Sequence, residues 1–139
     1  MMKLSECLDD RPLISLRSVD ALDNSVLSKS NSLQLNIYDT VSVDTEESPS
    51  NFVFVVYSRH VSSVPEPFIS ANISFRIICK LNETGLNLSR ENVAKMVKED
   101  GSTVSMCAAK ASLLLSQLTS LMASDTPVVT PPSFVVEDN

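Results

Sequence analysis

Glycine is nearly missing from this chain: Gly85 and Gly101 are the only two among 139 residues. Loops that cradle phosphates need several glycines at fixed spacing, so neither a P-loop nor a dinucleotide-binding turn can be written. Histidine is scarcer still. His60 stands alone in Tyr57-Ser58-Arg59-His60-Val61 at the end of an expected strand, and serine is so frequent here that one nearby does not make a nucleophilic dyad. The three cysteines, Cys7, Cys79 and Cys107, are odd in number, widely spaced and unclustered with the histidine. That pattern argues against a disulfide framework and a zinc site, and reads as three reduced, mostly buried thiols. The adjacent pairs Asp9-Asp10 and Glu46-Glu47 lie in polar surroundings and read as solvated loops rather than acid/base pairs. Catalysis is therefore the minority reading, and no cofactor or metal is expected.

Positive charge is also short. Eleven Lys and Arg stand against 17 Asp and Glu, a net charge of −6, and without a basic stripe nucleic-acid binding is disfavoured. The longest apolar run, Phe52 to Tyr57, is six residues, far below the roughly 20 a membrane-crossing helix needs. No apolar run in the first thirty residues is longer than Leu13-Ile14, which is too short for the core of a secretory signal and leads to the expectation of a cytoplasmic protein. Without a signal the sequons at Asn72, Asn82 and Asn87 are chance occurrences.

What is present is a foldable composition, 43% hydrophobic and 20% charged, enough for one domain over residues 1–139. Residues 1–30 are the least readable, either poorly ordered or an edge strand around Leu13 to Val19. From Leu33 to Val43 apolar residues alternate with polar ones, the period of a half-buried strand. A polar, proline-bearing loop over Thr45 to Asn51 leads into Phe52 to Val61, whose first half is apolar at both parities and reads as a central strand. Ser62 to Pro67 breaks the pattern. Phe68 to Leu81 then resumes it, with Ile73, Phe75, Ile77, Cys79 and Leu81 on one face. Short polar connections between consecutive strands predict an antiparallel meander over residues 31–85.

After Gly85 the period becomes 3.6. Ser89 is a candidate N-cap for a short helix ending at Asp100-Gly101, and a longer helix is expected from Ser102 or Thr103 to about Ala123. Its apolar stripe is Val104, Cys107/Ala108, Ala111, Leu114/Leu115, Leu118 and Leu121/Met122, with Leu113 lying off it. Helices thus occupy 86–124, and a proline-containing tail, 125–139, cannot continue them. The fold class is α+β: a meander sheet of about four strands followed by two helices on one of its faces. Leu113, the two-sided Phe52 to Tyr57 strand and the tail's Val128, Val129, Phe134, Val135 and Val136 exceed what such a core requires, which points to self-association or a binding groove.

The order of elements, a sheet ending in Phe68 to Leu81, a helical run, the long helix Ser102 to Ala123 and the closing Thr130-Pro131-Pro132-Ser133-Phe134, resembles the SecB family of protein-export chaperones. The chain departs from the family at Met106-Cys107-Ala108-Ala109-Lys110, where members carry an aromatic and a proline, and in lacking a glycine-rich approach to the helix. The resemblance implies an ATP-independent cytosolic holdase for unfolded polypeptides, a homo-tetramer, with delivery of clients to the SecA motor as one route. Ala108, Ala111, Leu114, Leu115 and Leu118 are then the expected assembly or core contacts, and Phe54, Tyr57, Phe68 and Phe134 the expected client contacts. Two alternatives stand beside it: a SecB-like chaperone dedicated to one partner such as an antitoxin, and a phage or structural oligomerisation protein.

Overall fold

Alternating apolar residues over the first two thirds of the chain form four strands: β1 (Leu13–Asp23), β2 (Gln34–Val43), β3 (Phe52–Val64) and β4 (Ile69–Lys80). The structure is a computed structural model that describes residues 2–27, 34–66, 68–121 and 128–137. All strand pairs are antiparallel, in the order β1-β4-β3-β2. β2, β3 and β4 make the meander. β1 joins it beside β4 rather than beside β2, the order of a Greek key, so β1 and β2 are the two edges of the sheet.

Register decides which residues share a face. Val55 lies opposite Ile77 and Tyr57 opposite Phe75, and with Val53, Val61, Ala71, Ile73 and Cys79 they form the buried side. The other side is polar along its middle. There Ser58 and Ser74 share a 2.7 Å hydroxyl bond, and the Tyr38 and His60 rings stack at 4.6 Å. β3 runs three residues past Val61 because Ser63 supplies its own turn contacts, donating to the Glu66 carbonyl at 2.6 Å and accepting from the Ile69 amide at 3.0 Å.

Two helices, α1 (Arg90–Glu99) and α2 (Gly101–Thr119), cover the buried side. Ser89 caps α1 by accepting from the Asn92 amide at 3.2 Å, which satisfies one of the first-turn donors that have no intrahelical partner. Asp100 ends α1 and begins α2, with its carboxylate accepting from the Ser102 and Thr103 hydroxyls. The break is therefore made by Asp100 in an extended conformation, and neither glycine takes a positive φ. α2 buries Val104, Cys107, Ala108, Ala111 and Leu115, and its small residues let the helix backbone lie close to the sheet. It ends at Thr119, four residues before the expected Ala123, which lies outside the described residues. Before β1, a 3-10 turn over Leu4–Glu6 adds Leu4 and Leu8 to the core.

Candidate functional site

Three features stand out from the fold, and the first is a buried ion pair. Asp39 of β2 and Arg59 of β3 are cross-strand neighbours on the helix-covered side, and both side chains are fully buried. Arg59 Nε and Nη2 each donate to an Asp39 carboxylate oxygen at 2.8 Å. Its remaining donors reach the tail: Nη1 donates to Thr130 Oγ1 at 2.8 Å and to the Pro131 carbonyl at 2.5 Å, and Nη2 to the Ser133 carbonyl at 2.8 Å. Burial works against the guanidinium, but Asp39 and its hydrogen bonds more than offset this and hold Arg59 charged. On the β2 edge the Asp39 amide donates to the Val135 carbonyl at 2.8 Å, and the Val135 amide returns to Asp39 Oδ2 at 2.9 Å. Phe134 meets Tyr57 edge-on at 6.3 Å, with Lys98 Nζ 5.9 Å from the Phe134 ring centre. The tail is thus a strap fastened across the β2 edge.

The second feature is a groove of about 940 Å³ between the amino-terminal turn, β1 and the junction of α1 with α2. Leu4, Leu8, Ile14 and three methionines, Met2, Met96 and Met106, supply its apolar wall. Methionine is unbranched and polarisable, so such a wall adapts to side chains of different shape. Asp9, Asp10, Glu99 and Asp100 stand among its lining residues with Lys3 and Arg11, leaving the rim acidic.

The third is exposed apolar surface. On α2, Met106 is 53% and Leu113 62% exposed, and on β1, Leu13, Leu16, Val19 and Leu22 are all exposed. The helices lie over β2, β3 and β4 and leave β1 open, so even its inward-facing Leu16 is 53% exposed.

The expected assembly residues divide by depth. Ala108, Ala111 and Leu115 are buried in the chain's own core, whereas Leu114 and Leu118 are half-buried against it. The four expected client aromatics do not form one surface. Tyr57 is fully buried, so its ring is core; Phe134 packs on it from the tail. Phe54 faces the other side of the sheet with Arg76 4.8 Å over its ring. Phe68 is half-buried at the β3–β4 connection, where its carbonyl accepts from the Asn24 amide. His60, half-buried in its stack with Tyr38, has Nε2 3.4 Å from Thr40 Oγ1, and burial pushes its pKa down.

The ion pair and the groove were not among the expected sites. Asp39 and Arg59 both occupy inward parities of strands that otherwise read as apolar, and a charge at such a position is the signal that could have marked them.

No protein-family model matches the sequence, and no curated protein is similar to it in sequence. In structure the chain is similar to a SecB-like chaperone of Mycobacterium tuberculosis solved in complex with a ChAD peptide from the HigA1 antitoxin. The TM-score is 0.64 at 12% sequence identity, over 92% of this chain and 88% of that one. The four-stranded antiparallel sheet with two helices is thus the SecB-like α+β fold. Among the described residues no helix is long and apolar enough to cross a membrane.

Proposed function

We propose that this chain is an ATP-independent chaperone that holds extended segments of unfolded polypeptides, one dedicated partner among them. The observation that carries this reading is the open, methionine-lined groove on a SecB-like fold. A holdase needs an apolar surface that accepts varied side chains and enough like charge to keep the loaded complex in solution. The groove supplies the first, and a net charge of −6 per chain the second. A dedicated partner is favoured because the structurally similar mycobacterial protein is a chaperone with an antitoxin peptide bound. Service to general export, with transfer to SecA, is the broader form of the same function.

We assign Leu113, Leu114 and Leu118 on α2 to contacts between copies in a homo-oligomer, a tetramer in the resemblance that motivates it. Their exposed or half-buried apolar atoms support this. Phe68 and Phe134 remain candidate client contacts at the margins of the sheet. The test is suppression of aggregation of a reduced, urea-diluted model polypeptide without nucleotide. Suppression that is lost in Met96→Asp supports the groove; undiminished suppression in that variant moves the client elsewhere, and none in the wild type removes the chaperone reading.

A further inference from the structure

The strap formed by the tail has the composition of a bound peptide. Residues 130–135 belong to no helix or strand, bend at Pro132-Ser133, carry two prolines and are held through main-chain carbonyls, the Thr130 hydroxyl, the Val135 amide and a single aromatic ring. Proline lacks an amide donor, so such a segment offers its carbonyls without demanding acceptors in return, the basis on which proline-rich ligands are recognised. Pro131, Pro132 and Ser133 are exposed, whereas Thr130 is buried.

The receiving side is built for a carbonyl-bearing chain. Arg59 is fully buried and held at two atoms by Asp39, which aims its remaining donors at the Thr130 hydroxyl and the carbonyls of Pro131 and Ser133. Ser112 of α2 adds a hydroxyl donated to the Thr130 carbonyl at 2.6 Å. Beside them the buried Tyr57 hydroxyl has no hydrogen-bond partner among the described residues. Buried guanidinium donors left empty carry a heavy desolvation penalty, so the slot is empty in only a small fraction of chains and another segment that refills it is favoured over leaving it open.

We propose that the slot formed by Asp39, Arg59, Ser112 and the Tyr57 ring is a peptide-docking site occupied in cis by the chain's own residues 130–135, and that a partner's extended segment takes it by displacing them. The fitting segment presents, in order, a hydroxyl residue, carbonyls two residues apart and then an aromatic ring, as Thr130, Pro131, Ser133 and Phe134 do. This goes beyond the chaperone reading and does not depend on the methionine groove. A slot already filled lowers the apparent affinity of a competitor by the fraction of chains in which it is free.

The probe is a fluorescent synthetic peptide with the sequence of residues 128–137, titrated by anisotropy into the full chain and into its Phe134→Ala and Thr130→Val variants. Both substitutions weaken the resident strap and leave the slot intact. The peptide should bind each variant about tenfold more tightly than the wild type, and a peptide with its phenylalanine replaced by alanine should lose that binding. Equal affinity for wild type and variants, or no binding to variants that circular dichroism shows to be folded, overturns the proposal. In the wild type, excess peptide should speed hydrogen exchange at the Val135 amide, which Asp39 holds in the strap. Unchanged exchange there overturns it independently of the variants. Aggregation suppression, measured alongside, reports on the chaperone reading separately.

Discussion

Replacing Asp39 by alanine isolates the part of the fold that carries most electrostatic risk. Both members of the Asp39–Arg59 pair are fully buried and joined by two 2.8 Å bonds. Removing one partner of such a pair leaves an uncompensated buried charge and costs about 3–5 kcal/mol. For a chain of this length each kcal/mol moves the midpoint by about 3 °C, so Asp39→Ala should lower Tm by about 10–15 °C. The double variant Asp39→Ala/Arg59→Met puts an apolar stem where the charge was, and should recover roughly half of the loss. Full recovery is not expected because the carbonyls of Pro131 and Ser133 still lose their donors. Arg59→Met alone strands the buried Asp39 carboxylate and should itself cost about 3–5 kcal/mol, so the double variant should lose far less than the two single losses added together. Urea unfolding followed by circular dichroism suits the measurement, since the chain has no tryptophan. A single-variant loss below about 1 kcal/mol, or losses that simply add in the double variant, would refute the reasoning.

Other parts of the structure make separate predictions. A Cβ at Gly85 would overlap the Cys7 carbonyl oxygen and press on Leu81, so Gly85→Ala should cost about 2 kcal/mol in urea unfolding, and a neutral substitution contradicts the packing of the amino-terminal turn. Burial alone would raise the Asp44 pKa, but the Glu46 amide and the Arg17 and Arg76 guanidinium groups outweigh it and hold it below the usual carboxylate range. A lowered carboxyl contributes stability that is fully present above about pH 4 and lost as pH falls through its folded value. Asp44→Asn should therefore flatten the acid limb of a stability–pH curve, and an unaltered slope counts against the cluster. Burial pushes the Cys79 and Cys107 thiols up to about 12, so at pH 8 they should react with a disulfide reagent about 10³-fold more slowly than in the denatured chain; rapid labelling of the native protein would show them accessible. Leu113→Asp should leave Tm within a few degrees, because the side chain is mostly exposed, while reducing the mass seen by light scattering; an unchanged mass removes that face of α2 from assembly.

The sheet was legible where one face is buried and the other is not. In Ile73 to Leu81 every second residue is apolar, and each of them is buried in the structure. β1 was harder to read because no helix covers it: Leu13, Leu16, Val19 and Leu22 are exposed, and a register shift between Leu16 and Ser18 breaks the alternation. Its place beside β4 could not be read locally, since the pairing of Leu13 with Ile78 spans nearly half of the chain. The long helix was visible in its three-four spacing, and Leu113, which falls off that stripe, is 62% exposed. The docking features were not legible for a related reason. Arg59 gathers Asp39 from β2 and carbonyls from the tail more than seventy residues away, and the groove joins the first turn to a helix junction. Residue types carry no mark of such meetings until the topology brings them together.

If this SecB-like fold holds another protein's extended chain, the two must travel together in solution. Light scattering coupled to size exclusion tests it most directly, on the protein alone and after adding a reduced, urea-diluted polypeptide or its native form. The expected species is an oligomer that elutes with the unfolded chain at increased mass and ignores the native one. A species whose mass is unchanged by either would contradict it.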